Sequence, residues 1–99
     1  MNYGKAIKVA RAARELSQEE LAKRAHLDAS YISVLESGDR VPSAAALEAI
    51  AKALRVPLYV LMLVASERKD LRGVPAREAQ LLGRRLLDVL VGCEKTRKK

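Results

Sequence analysis

The chain has 99 residues and a formal net charge of +7, with 49% hydrophobic residues and neither Phe nor Trp. This hydrophobic share excludes a disordered chain, and the length suits one small domain with a short appendage. A core without Phe or Trp must consist of Leu, Ile, Val and Ala, which with few Gly and Pro favours helices over sheets. We therefore expect an all-α fold.

The positive charge is concentrated at the end of the chain. Residues 1–66 carry nine Lys or Arg and seven Asp or Glu, whereas residues 67–99 carry ten and five, so the balances are +2 and +5. A positive net charge indicates an anionic partner, such as nucleic acid or a membrane surface. The basic tail at 93–99 is either a solvated terminus or a segment that contacts phosphates.

The single cysteine, Cys93, excludes an intramolecular disulfide and indicates a reducing cytoplasm. The only histidine, His26, is far away in sequence, so a catalytic Cys–His pair is not indicated. The N-terminus lacks the pattern of a signal peptide, and the apolar run at 56–65 is about half the length that spans a bilayer. We expect no membrane partner.

Two helices are predicted at the start of the chain. The first covers 6–16, and the second begins at Ser17, where Glu20 three residues later completes a capping box. The second helix ends around His26–Leu27. Apolar positions of the first helix recur at steps of three and four, at Ile7, Ala10, and Ala13 or Arg14.

The third and fourth helices each have their own start signal. Asp28 can cap the third helix, which Gly38 ends in a left-handed conformation, and Ser43 can cap the fourth. The fourth helix has a complete apolar stripe at Leu47, Ile50, Ala51 and Leu54.

The last two helices are separated by a charged break at 67–74, which is the best linker candidate. The fifth helix, 57–68, begins with Pro57 in its first turn and is apolar nearly all round, so it should be buried on more than one side. The sixth, 75–92, opens with Pro75 and can end at Gly92. One of its faces carries Ala79, Leu82, Leu86, and Leu90 or Val89.

Three motifs carry a family resemblance: SQ-x-x-LA at 17–22, I-S-x-L-E-x-G at 32–38 and R-x-PS at 40–43. In this order and spacing the sequence resembles the lambda-repressor-like, Cro/XRE-type helix-turn-helix regulators over about residues 4–65. The resemblance implies a five-helix DNA-binding bundle at 1–66 that contains the helix-turn-helix. It also implies that the partner is double-stranded DNA. The protein would belong to a bacterium or a phage and would act in the bacterial cytoplasm, at the nucleoid.

The resemblance also implies roles for single residues. Gln18 corresponds to the glutamine that contacts a DNA phosphate, and Arg11 and Glu36 correspond to an ion pair that ties the bundle together. The positions of the two residues also indicate this pair, because Arg11 lies beside the apolar stripe of the first helix and Glu36 follows the expected core residue Leu35. The positions that enter the major groove are Ala29, Ser30, Ser33 and Val34, with Asp28 and Tyr31 beside them.

The sequence departs from the family at three positions where glycine is common, namely Glu15, His26 and Arg55. A residue other than glycine can take a positive φ at some cost, and histidine is among the more tolerant. His26 is accordingly either a plain turn residue or a pH switch or metal ligand.

The residue types predict how DNA would be read. Methyl groups of Ala29 and Val34 suit thymine, and the hydroxyls of Ser30 and Ser33 make short hydrogen bonds, but none of the four makes a bidentate base contact. We therefore expect modest direct readout, with some specificity from DNA shape. Phosphates would be held by Ser17, Gln18 and the loop Ser37–Arg40, with Lys23 and Arg40 as supporting charges. Asp28 and Tyr31, beside the reading face, are expected to contact the DNA backbone as well.

Three classes of function can be compared with this pattern. The first is a sequence-specific DNA-binding regulator, a repressor or autoregulator, that binds a pseudo-palindromic operator as a homodimer. Its dimer interface would be the sixth helix, at Leu82, Leu86, Val89 and Leu90, together with the fifth helix, unless the sixth helix folds back on its own bundle. The second is a protein-binding module, antitoxin-like or an anti-regulator, that grips another protein with the same helix.

The third function, an enzyme, is not supported. The sequence has no paired carboxylates, no nucleophile–base arrangement, no glycine-rich phosphate loop and no metal-ligand cluster. We expect no catalytic residue, no cofactor and no metal.

Overall fold

The computed structural model describes residues 1–70 and 72–97, with only the backbone of residue 68 and of residues 93–97. These residues contain no strand, so the predicted all-α class is confirmed. The predicted basic tail lies outside the described side chains, as does Cys93. The helices are α1 (Tyr3–Ala13), α2 (Gln18–Ala25), α3 (Ala29–Ser37), α4 (Ala44–Leu54), α5 (Leu58–Ala65) and α6 (Ala76–Arg97), with a 3-10 turn at Arg68–Asp70.

The helix α1 begins and ends three residues earlier than its apolar pattern predicts. Its start is fixed by Asn2, whose side-chain oxygen accepts a hydrogen bond of 3.1 Å from the backbone amide of Lys5. The predicted capping box of α2 is confirmed. The Ser17 hydroxyl accepts from the Glu20 amide at 3.0 Å, and the Glu20 carboxylate accepts from the Ser17 amide at 2.9 Å.

The three residues that replace glycine all adopt the left-handed conformation. Glu15, His26 and Arg55 each have a φ of 58°, and Gly38 ends α3 with a φ of 86°. His26 and Arg55 are the C-cap residues of α2 and α4. The turns therefore keep the geometry that glycine would favour, at a cost of about 1–2 kcal/mol for each side chain held there.

The two central caps differ. Asp28 occupies the N-cap position of α3 as predicted, but its side chain makes no capping hydrogen bond. Ser43 does cap α4, because its hydroxyl accepts from the Ala46 amide at 3.1 Å. The predicted apolar stripe of α4 is buried at all four of its positions.

The helix α5 is shorter than the predicted 57–68, because Pro57 is its N-cap residue and the helix ends before Ser66. Its buried side chains face α1, α4 and α6, which confirms burial on more than one side. The burial is not complete, since Tyr59 is 61% exposed and Met62 is 36% exposed.

The helix α6 lies against α5 and α1 of its own bundle. Gly83 makes this approach possible, because a Cβ atom there would lie 2.8 Å from Val64 Cγ2 and 2.9 Å from Leu63 Cβ. The amide nitrogen of Gln80 donates to the Ser66 carbonyl at 2.6 Å, and Leu87 joins the core of the other helices. The helix α6 therefore folds back on its own bundle, while Leu82 and Val89 of the expected dimer face stay exposed.

The predicted end of α6 at Gly92 is wrong. Gly92 does not take a positive φ, and the helix continues to Arg97. Glycine lowers the stability of a helix interior by roughly 0.5–1 kcal/mol but does not end it unless the chain turns into the left-handed region.

The left-handed turns generate a stability prediction. His26→Gly and Glu15→Gly should each raise the free energy of unfolding by roughly 0.5–1 kcal/mol, because relief of the positive φ exceeds the added chain entropy of glycine. Glu48→Gly, at an exposed position inside α4, is the matched control and should lower it by about 1 kcal/mol. Urea denaturation measures all three, and a loss of stability in His26→Gly would contradict the account.

Candidate nucleic-acid interface

The helix α3 is anchored by one face and presents the other to solvent. Ile32 and Leu35 are fully buried against the core, and α3 packs on α1 and α2. Ser30 and Ser33, which were predicted to face DNA bases, are exposed. The exposed face of α3 therefore carries short, uncharged side chains at these two positions.

The other predicted base-contacting residues are less accessible. Ala29 and Val34 are partly buried, and Ala29 packs in part on the core, as does Tyr31 beside them. Beside them runs a depression along α3, which is lined by His26, Leu27, Asp28, Ser30, Tyr31, Val34 and Arg40. The accessible part of α3 is therefore a strip of hydroxyl and methyl groups with ionisable side chains at its margins.

Arg11 and Glu36 form a bidentate ion pair between α1 and α3. The Arg11 Nε and Nη2 atoms donate to the two Glu36 carboxylate oxygens at 2.8 and 2.9 Å. The side chains are 17% and 5% exposed, so water screens the pair little. Hydrogen bonding to Glu36 raises the pKa of Arg11 further above its ordinary value. A third bond, from Nη1 to the Leu16 carbonyl at 2.8 Å, ties the pair to the start of α2.

Gln18, the predicted phosphate contact, is part of the same cluster. Its amide nitrogen donates to Glu36 Oε1 at 3.2 Å. It is also the first residue of α2, where free backbone amides and the helix dipole favour an anion. Its side chain and the start of α2 therefore lie near the carboxyl end of α3.

The remaining predicted phosphate contacts fall into two groups. Ser17 and Lys23 are exposed on α2, and Arg40 is exposed in the loop after α3. Ser37 is engaged locally, because its hydroxyl donates to the Val34 carbonyl at 2.8 Å and lies 3.0 Å from Asp39 Oδ2. The carboxylate of Asp39 adds negative charge to this loop, so Arg40 is its one cationic group.

One structural role was missed by sequence reasoning. Arg14, which was placed with the apolar stripe of α1, donates from Nε to the Leu54 carbonyl at 2.7 Å and from Nη2 to the Arg55 carbonyl at 2.9 Å. It thereby satisfies the end of α4, where the left-handed Arg55 turns the chain. An arginine on an apolar stripe beside a helix end is the signal that could have indicated this role.

A family model described as helix-turn-helix matches residues 7–61, which is more than half of the chain. This chain belongs to the helix-turn-helix family. The motif is of the Cro/C1 type, so the resemblance is confirmed, and α2 and α3 are its two helices. The helix-turn-helix protein is accordingly a DNA-binding transcriptional regulator.

A relative extends the likeness beyond the motif. An immunity repressor protein of Bacillus phage phi105 is 29% identical over 100 residues, an alignment that covers 97% of this chain and 67% of the repressor.

In the helix-turn-helix protein, no helix among residues 1–70 and 72–97 combines the length and the apolar character needed to cross a bilayer. Nor do those residues bring together three or more His, Cys, Asp or Glu side chains in a metal-binding arrangement.

The burial of the ion pair generates the second prediction. Glu36→Gln should lower the free energy of unfolding by about 3 kcal/mol, because the Arg11 guanidinium is left largely buried without its counter-charge. Glu48→Gln, at an exposed site on α4, should change it by less than about 0.5 kcal/mol. Thermal and urea denaturation compare the two. Equal melting of Glu36→Gln and wild type would mean that the pair contributes nothing.

Proposed function

We propose that this helix-turn-helix protein is a repressor that binds a pseudo-palindromic operator as a homodimer, with α3 in the major groove. The observation that carries the proposal is the two-sided character of α3, whose buried face is anchored and whose exposed face has short, uncharged side chains. A major groove admits such a helix, and short side chains let its backbone approach the base edges. The likeness to a phage immunity repressor supports repression in particular.

The proposed reading of bases is modest in strength. Ser30 and Ser33 offer hydroxyls, and Ala29 and Val34 offer methyl surface at the edge of the strip. None of these side chains can make a bidentate contact with one base, so each position discriminates weakly. Part of the specificity then comes from the energy of deforming DNA between the half-sites.

The proposed phosphate contacts surround this strip. Gln18 and the Ser17 hydroxyl offer donors at the start of α2, where the helix dipole adds positive potential. Lys23 and Arg40 add positive charge, while Tyr31 and Asp28 lie at the margin of the strip. The carboxylate of Asp28 repels phosphates, which would keep the backbone away from the first turn of α3.

Selection of bound duplexes from a random pool tests the proposed DNA reading. Ser30→Ala should relax the preference at one or two base pairs of each half-site, because it removes a base contact. Gln18→Ala should weaken binding to all duplexes alike, because phosphates carry no sequence information. The reverse pattern would mean that the two roles are exchanged, and if neither change affects binding, α3 is not the DNA-reading helix.

The proposed homodimer rests on apolar side chains that the bundle leaves uncovered. On α6, Leu82 is 52% exposed and Val89 is 66% exposed, and their spacing puts them on one face of the helix. Leu86 and Leu90 are partly buried against the core, so they would contribute less than expected from sequence. To read a pseudo-palindromic operator, a dimer formed through this face would have to place its two α3 helices in successive major grooves, ~34 Å apart.

Charge placed on that face tests the dimer without disturbing the core. Leu82→Glu and Val89→Glu together should turn a dimer into a monomer at micromolar concentration, as measured by sedimentation or light scattering. Leu81→Glu is the matched control, because Leu81 is 49% exposed but lies about 100° around the helix from Leu82. A wild-type monomer, or a double variant that remains dimeric, would contradict this interface.

The same apolar face supports an alternative, a protein-binding module of the antitoxin-like or anti-regulator kind. Exposed apolar patches mark contact surfaces in general, and they do not identify the partner. A wild-type protein that is monomeric and selects no duplex would favour this alternative. The repressor would act on DNA in the bacterial cytoplasm, and a protein-binding module would act on another protein in the same compartment.

A further inference from the structure

The carboxylate of Glu36 joins Gln18 to Arg11. Its Oε1 atom accepts from Arg11 Nη2 at 2.9 Å and from Gln18 Nε2 at 3.2 Å, while Oε2 accepts from Arg11 Nε at 2.8 Å. The three side chains come from α1, from α3 and from the first residue of α2. The side chain of Gln18, at the end of α2 that is proposed to face DNA, is therefore held by an ion pair between two other helices.

We infer that Glu36 and Arg11 are positioning residues for DNA binding. Glu36 fixes the amide of Gln18, and Arg11 neutralises Glu36 so that a phosphate can approach. This inference rests on the proposed phosphate contact of Gln18.

The orientation of the Gln18 amide follows from the chemistry of its partner. An ionised carboxylate only accepts hydrogen bonds, so it binds the NH2 group of the amide and not the oxygen. One N–H is directed at Glu36, and the second N–H remains for another acceptor. Because the side chain is held before DNA arrives, less rotamer entropy is lost on binding.

The charge of Glu36 would oppose this role if it were not paired. A phosphate that accepts the second N–H of Gln18 lies one amide group away from the Glu36 carboxylate, and two anions at that separation repel. Arg11 places a guanidinium against both carboxylate oxygens, and the pair as a whole is close to neutral. Arg11 thus allows a carboxylate to orient a phosphate ligand.

A purely structural ion pair makes a different prediction from a positioning pair. Replacing a buried pair by apolar side chains of similar size often retains stability, whereas replacing one partner does not. The urea concentration at the midpoint of unfolding should therefore be closer to the wild-type value for Arg11→Met/Glu36→Leu than for Glu36→Gln. If the pair were only structural, the DNA affinity of this double variant would recover together with its stability. If the pair positions Gln18, the DNA affinity of the double variant stays below that of wild type.

The experiment compares wild type, Gln18→Ala, the Arg11→Met/Glu36→Leu double variant and the triple variant. The probe is a duplex of roughly 30 base pairs recovered by selection, enough for two half-sites, with affinity measured at fixed salt. Gln18→Ala and the double variant should each weaken binding about tenfold, and the triple variant should match the double within about twofold. A double variant that binds like wild type, or a triple variant weaker by a further tenfold, overturns the inference.

A second measurement needs no substitution. In the free wild-type protein, the NMR order parameter of the Gln18 side-chain amide should be about 0.8, and a value below about 0.6 overturns the inference. A wild-type protein that selects no duplex at all overturns the proposed function, and this inference with it. Specific wild-type binding with unchanged affinity in the double variant overturns the inference alone.

Discussion

The bidentate contact between Arg11 and Glu36 is the interaction on which the arrangement of the first three helices depends. Both side chains are too deeply buried to remain unpaired, so α1 and α3 must meet where the guanidinium can reach the carboxylate. Gly4 makes this meeting possible, because a Cβ atom there would collide with the Leu35 carbonyl oxygen. The ion pair and the missing side chain together fix how far α3 projects from the bundle.

The left-handed turns are a second constraint, imposed by connection lengths and not by the residues that occupy them. Only three residues separate α2 from α3, and three separate α4 from α5, so the chain must reverse within a single residue at His26 and at Arg55. The neighbouring caps and core contacts hold these residues in place although the backbone is strained. Arg14 compensates at the second turn by satisfying two carbonyls at the end of α4.

Local signals in the sequence were sufficient to predict most of the helices and the exposure of the serines of α3. The capping box at Ser17, the left-handed stop at Gly38 and the stripe of α4 depend on residues close together in the chain, so pattern alone predicts them. The folded-back position of α6 depends on the space that Gly83 leaves beside α5. The bond from Gln18 to Glu36 joins positions 18 residues apart. Such contacts are decided by tertiary packing, which periodicity does not encode.

The distribution of charge sets a limit on how the bundle can attract DNA. Residues 1–66 have a balance of only +2. The bundle therefore carries little net positive charge, so it contributes little long-range attraction to an anionic partner by itself. In the proposed complex, hydroxyl and amide donors at the start of α2 would then matter more than in a strongly basic domain. The larger positive balance of residues 67–99 lies on the segment that contains α6, so most of the net positive charge and the proposed reading helix α3 are in different parts of the chain.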